Sequence, residues 1–173
     1  MTRSTVTLIT VVWWLWGATV SRSFAAGDFQ RDTLRGLPGV WVVVEKLTPE
    51  LEQAGLTQGQ VHQDAEDQLR HAGIKVLTQE ECWQTPGMPW LYLTIALLKA
   101  SDTTYAVTIA ATLNQEIMLT RNPQIKTFGV TWDTGVHVGA VGAESLPTVR
   151  ESVGSLVKKF TADYQAVNAR GEK

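Results

Sequence analysis

Apolar residues recur along this chain with two different periods, and the switches between them predict its elements. The run Val40-Trp41-Val42-Val43-Val44-Glu45 lies between a turn at Leu37-Pro38-Gly39 and a loop through Thr48-Pro49-Glu50. Its β-branched residues predict a strand with Val40, Val42 and Val44 on one face. Thr57 and Gln60 then form a capping box, and Val61, Ala65, Leu69 and Ala72 repeat at helical spacing up to Gly73, predicting an amphipathic helix. Its outer face carries Asp64, Glu66, Asp67 and Arg70, a mixture that suits a solvated surface.

Ile74-Lys75-Val76-Leu77 predicts a short strand parallel to the first, because a strand-helix-strand connection closes that way. Thr78 to Glu81 predicts one further helical turn with Cys82 and Trp83 at its end, before the breaker run Thr85-Pro86-Gly87-Met88-Pro89. Two long alternating segments follow. Leu91, Leu93, Ile95 and Leu97 share a face in residues 90–99, and Tyr105, Val107, Ile109, Ala111 and Leu113 share one in residues 105–120, with Ser101 to Thr104 as the hairpin connection. After a loop around Asn122-Pro123, residues 127–132 predict a strand with Phe128, Val130 and Trp132 on a common face. Ser145-Leu146-Pro147 announces a last helix, whose stripe is Val149, Val153, Leu156, Phe160, Tyr164 and Val167.

This order, β-α-β-β-β-β-α, predicts a two-layer α+β sandwich with a four- to five-stranded mixed sheet and two helices on one face. The other face then carries Thr94, Thr108 and Thr112 together with Trp41, Val43, Trp90 and Tyr92. Three things can cover those aromatics: the amino-terminal arm or long loop of the same chain, another protein, or an apolar or saccharide ligand.

The first residues follow a different logic. Arg3 precedes an uncharged apolar run from Val6 to Val20, followed by Ser21-Arg22-Ser23 and then Phe24-Ala25-Ala26, with Ser23 and Ala25 placed for signal-peptidase cleavage. About 20 residues are needed to span a bilayer core, so the shorter run predicts a cleaved export signal and no stable membrane span afterwards. The expected division is a signal peptide over 1–25, an arm over 26–36, one α+β domain over 37–169 and a frayed tail over 170–173. The leader removes Arg3 and Arg22 and no acid, so 15 basic residues become 13 against 17 acidic, a net charge of −4. That balance argues against a nucleic-acid partner.

Candidate chemistry is sparse. The single cysteine, Cys82, predicts a buried apolar side chain beside Trp83, with an intermolecular bridge or a reactive thiol as alternatives, and it lies too far along the chain for a lipid anchor. His62 and His71 are nine residues apart, about 900° of helical turn, so they cannot share a metal and no metal site is expected. Gly135-Val136-His137-Val138-Gly139-Ala140-Val141-Gly142 lacks the endings of phosphate- and dinucleotide-binding loops. It reads as a flexible connection, with Gly135, His137, Gly139 and Gly142 as a possible ligand loop. No nucleophile elbow is present, nothing singles out one carboxylate pair, and no catalytic residue or cofactor is assigned.

Leu37-Pro38-Gly39-Val40, Ala72-Gly73-Ile74-Lys75-Val76-Leu77, and Thr127-Phe128-Gly129 ahead of Thr131-Trp132 resemble segments of a family of short exported bacterial proteins of unknown function. The element order is also similar to that of small envelope domains, such as the lipopolysaccharide-assembly lipoprotein and the amino-terminal domain of the Tol translocation protein. The chain departs from the former by lacking its anchor cysteine. The resulting expectation is a periplasmic or secreted, non-catalytic interaction or assembly module that binds an envelope protein or itself through the open sheet face. The alternative is a small-ligand carrier using that face, with residues 135–142 as a lid.

Overall fold

The computed structural model describes residues 26–53, 55–145 and 148–169. The expected signal peptide, the last four residues, and Leu146 and Pro147 of the expected helix start lie outside them. The elements run α1 (Ala26–Asp32), β1 (Trp41–Val44), α2 (Pro49–Gln53), α3 (Gln58–His71), α4 (Gln79–Gln84), β2 (Trp90–Lys99), β3 (Thr104–Leu119), β4 (Asn122–Asp133), β5 (His137–Gly142) and α5 (Thr148–Asn168). The sheet order is β1-β2-β3-β4, with β5 also on β3. β1 runs parallel to β2 and the remaining pairs are antiparallel. The fold is the expected α+β arrangement with a mixed five-stranded sheet.

Helices α3 and α5 pack against each other and against one face of the sheet. Val61, Ala65 and Leu69 of α3 and Val149, Val153, Leu156, Val157 and Phe160 of α5 are buried there against Val42, Val44, Leu91, Leu93, Ile95, Ala111 and Leu113. The expected capping box forms at Thr57–Gln60, and a second one opens the expected helical turn at Thr78–Glu81. Arg150 clasps Asp64 across the two helices, Nε and a terminal nitrogen donating to the two carboxylate oxygens at 2.5 and 2.8 Å.

Besides the expected loop through Thr48-Pro49-Glu50, where α2 already begins at Pro49, four segments differ from expectation. Residues 74–77 form a single parallel rung, Val40 with Val76. Val40 N–H donates to Lys75 O and Leu77 N–H to Val40 O, after which the Thr78 capping box turns the chain into α4. The two backbones meet so closely at this rung that a Cβ on Gly39 would lie 2.6 Å from Lys75 O. The lead-in expected to be an irregular arm is helical over Ala26–Asp32, and Leu34 just beyond it is fully buried. The expected loop at Asn122-Pro123 already belongs to β4.

The fourth difference is the glycine-rich connection, which is a strand. The sixteen residues of β3 exceed the reach of β4, which pairs with Thr112 to Leu119, and β5 takes up Thr104 to Ile109 of the same edge. A strand in that place needs only a partner edge, and β3 supplies it.

The edge of β1 is closed by side chains from α3. His62 Nε2 donates to Val42 O at 3.2 Å and Gln58 Nε2 to Val44 O at 2.7 Å. His62 therefore satisfies a strand edge that would otherwise be open, a more specific role than that of a surface histidine.

Candidate functional site: an aromatic strip on the open sheet face

The register places all four sequence-predicted face residues together. Trp41 pairs with Trp90 and Val43 with Tyr92, on the side of the sheet away from α3 and α5. Each of the four is half-buried. Across β3 the same face continues through Thr112, opposite Tyr92, and Asn114, opposite Trp90, and Asn114 Nδ2 donates to Thr112 Oγ1 at 3.2 Å. Burial, and then the negative charge of Glu45, push the Tyr92 hydroxyl pKa upward, so this face presents the phenol in its neutral form.

The strip extends onto β4 because of an irregularity that alternation does not reveal. Leu113 pairs with Trp132 but Asn114 with Val130, a register shift that leaves Thr131 as an extra residue. Such a bulge reverses the parity of a strand. Phe128 and Val130 consequently join the open face, 53% and 55% exposed, while Trp132 turns into the core at 1%. The expected common face for these three residues is corrected accordingly. Trp90 and Phe128 meet edge to face with ring centroids 5.1 Å apart.

The described amino-terminal helix contacts β4 and α5, and the segment expected to act as a lid is held in the sheet as β5. The four glycine-segment residues are split. His137 and Gly139 line a groove beside α5, Gly135 makes the kink between β4 and β5 with φ +72°, and Gly142 ends β5. His71 donates from Nδ1 to Asp67 O. Cys82 is fully buried and its Sγ donates to Pro89 O at 3.4 Å. Desolvation pushes its thiol pKa up, the opposite of what a reactive thiolate requires.

Sequence spacing also missed the anchor that fixes the bulge. Asp163 accepts from Trp132 Nε1 at 3.0 Å, Lys159 Nζ at 2.7 Å and Arg31 Nε at 3.1 Å. Burial raises the Asp163 pKa, but the bonds from Lys159, Trp132 and Arg31 and the charge of Lys159 outweigh that and hold it below the ordinary value. A depressed carboxyl pKa contributes stability above the unfolded value of about 3.9, and that contribution is lost as pH falls through the folded value. Asp163→Asn is therefore expected to cost about 1.5–3 kcal/mol at neutral pH. Thermal melts at a series of pH values should show the gap to wild type closing below about pH 4; a gap independent of pH would contradict this assignment.

These features define an α+β domain with helices on one face of a mixed sheet and an aromatic strip on the other. No protein-family model matches the chain, and no curated protein does. Among solved structures it is similar to the minor lipoprotein from Acinetobacter baumannii, with 12% identity and a TM-score of 0.34 over 75% of this chain and 93% of that one. Among the described residues, no helix is long and apolar enough to cross a membrane.

Proposed function

We propose that this protein is an exported, non-catalytic interaction or assembly module of the bacterial envelope. It binds an envelope protein or a second copy of itself through the open sheet face. In this reading residues 1–25 are the export signal and residues 37–169 the working domain. The observation that carries the proposal is the aromatic strip. Trp41 and Val43 of β1, Trp90 and Tyr92 of β2, and Phe128 and Val130 of β4, with Thr112 and Asn114 of β3 between them, share the face opposite α3 and α5. Large aromatic side chains supply most of the binding energy at protein interfaces, because each desolvates a wide area at a small entropic cost.

Hydroxyl-radical footprinting of the purified protein and of the protein in intact cells tests this reading. Trp90 and Phe128 are expected to be oxidised in the purified protein diluted to a monomer and protected in the cell, whereas Trp83, 63% exposed on α4, reacts in both. Equal oxidation of Trp90 in the two states would overturn the proposal.

A further inference from the structure

We infer that the groove between α5 and β5 is a second binding site, for a single-chain amphiphile with an anionic head: an acyl chain ending in a carboxylate. The groove encloses about 430 Å³, within the range of small-molecule sites. Val107 and Ile109 of β3 form its floor, and Leu156 of α5 forms its wall. From Thr148 to Lys159 it follows α5 for about 16 Å at the helical rise of 1.5 Å per residue, a length that suits an extended alkyl chain.

One position of the groove's lining on β5 carries no side chain. Gly139 pairs with Val107 inside β5 and shares its face, towards α5. A Cβ built at Gly139 would meet nothing within 4 Å, and its φ lies outside the left-handed region. No turn, backbone strain or close contact demands glycine there. Close approach of a ligand or of another backbone is among the uses of a glycine within a strand, and Gly139 leaves room for one beside α5.

The polar groups around the groove select the head. Its lining includes Lys159 and His137 but no carboxylate, although the expected mature chain has a net charge of −4. The hydroxyls of Ser152 and Ser155 already donate to Thr148 O and Glu151 O. His137 Nε2 donates to Thr134 O. Lys159 is the permanently charged donor of the lining, and its ammonium also lies over the Trp132 ring, 5.7 Å from the centroid. Its ammonium rests 2.7 Å from Asp163, and that carboxylate keeps Trp132 on the same oxygen and Arg31 on the other when Lys159 leaves. An apolar trough with one permanent cation matches a monoanionic acyl chain, the head competing with Asp163 for Lys159, whereas a sugar would need several free donors and acceptors.

The test titrates the purified protein with decanoate and with decan-1-ol by calorimetry, and sediments it with phosphatidylglycerol vesicles. Saturable decanoate binding is expected, at least tenfold weaker in Gly139→Leu, whose Cβ meets nothing within 4 Å and whose side chain enters the trough. In Lys159→Gln the preference for decanoate over decan-1-ol should fall about tenfold, with the melting temperature of each variant reported alongside. Binding of free decanoate without vesicle association is the expected result, whereas vesicle association abolished by Gly139→Leu without decanoate binding would assign the groove to two-chain lipids and overturn the carboxylate head. Absence of both, or binding unchanged in a folded Gly139→Leu protein, would overturn the inference. Neither variant touches the open face, so these outcomes are independent of the proposed interaction function.

Discussion

Phe160→Ala is expected to remove about 3–5 kcal/mol of folding stability, a large share of the roughly 5–15 kcal/mol that holds a domain together. Phe160 is fully buried at the centre of α5. Its ring meets Trp132 edge to face at 5.0 Å, and the Tyr164 ring lies tilted to it at 6.5 Å. Trp132 reaches that position because of the bulge in β4, and the Asp163 bond holds it there. Truncation would leave a cavity under the bulge that neighbouring backbone cannot easily fill, since strand and helix are each fixed by their own hydrogen bonds. In a urea titration the midpoint should fall with the slope unchanged, and the Tm should drop by roughly 10 °C. A loss below about 1 kcal/mol would mean that the aromatic pair does not organise this part of the core.

Trp90→Ser is expected to do the reverse, sparing the fold and abolishing association. The indole is half-buried, and its described ring contact is with Phe128 at the surface of the sheet, so the folded state loses about 1–2 kcal/mol. A central aromatic anchor in a complex is worth at least about 2 kcal/mol, or roughly 30-fold in Kd. Circular dichroism should show an intact fold, and sedimentation velocity should show the complex or self-association lost. Unfolding of the variant would assign Trp90 to the core; unchanged association would remove the strip as the binding surface.

What the sequence reveals follows from how local each interaction is. The Thr57–Gln60 box and the Val61-Ala65-Leu69 stripe lie within three turns of helix, and the alternation of residues 90–99 and 105–120 marks two strands joined by a short hairpin, so these elements are legible. The open-face residues Trp41, Val43, Trp90 and Tyr92 are legible for the same reason: alternation fixes each strand's face once the helices declare the other side. The fate of residues 137–142 depends instead on how much of β3 remains unpaired after β4, and the strand expected at 74–77 is cut to one rung by the next helix's cap. A single extra residue at Thr131 sends Trp132 inward and Phe128 outward, which no periodicity encodes. Asp163 gathers Arg31, Trp132 and Lys159 from three separate elements. The groove is lined at one position by Gly139, and a glycine in sequence gives no sign of which face it leaves empty.

The central claim, that the aromatic strip is where this protein binds another, is tested most directly by in-cell photo-crosslinking from position 41, beside Trp90 on the open face, with position 158 on the exposed side of α5 as the control. The account predicts a discrete crosslinked species from position 41, an envelope protein or a second copy of this chain, that disappears in Trp90→Ser and is absent from position 158. Crosslinking from both positions alike, or from neither, would contradict it.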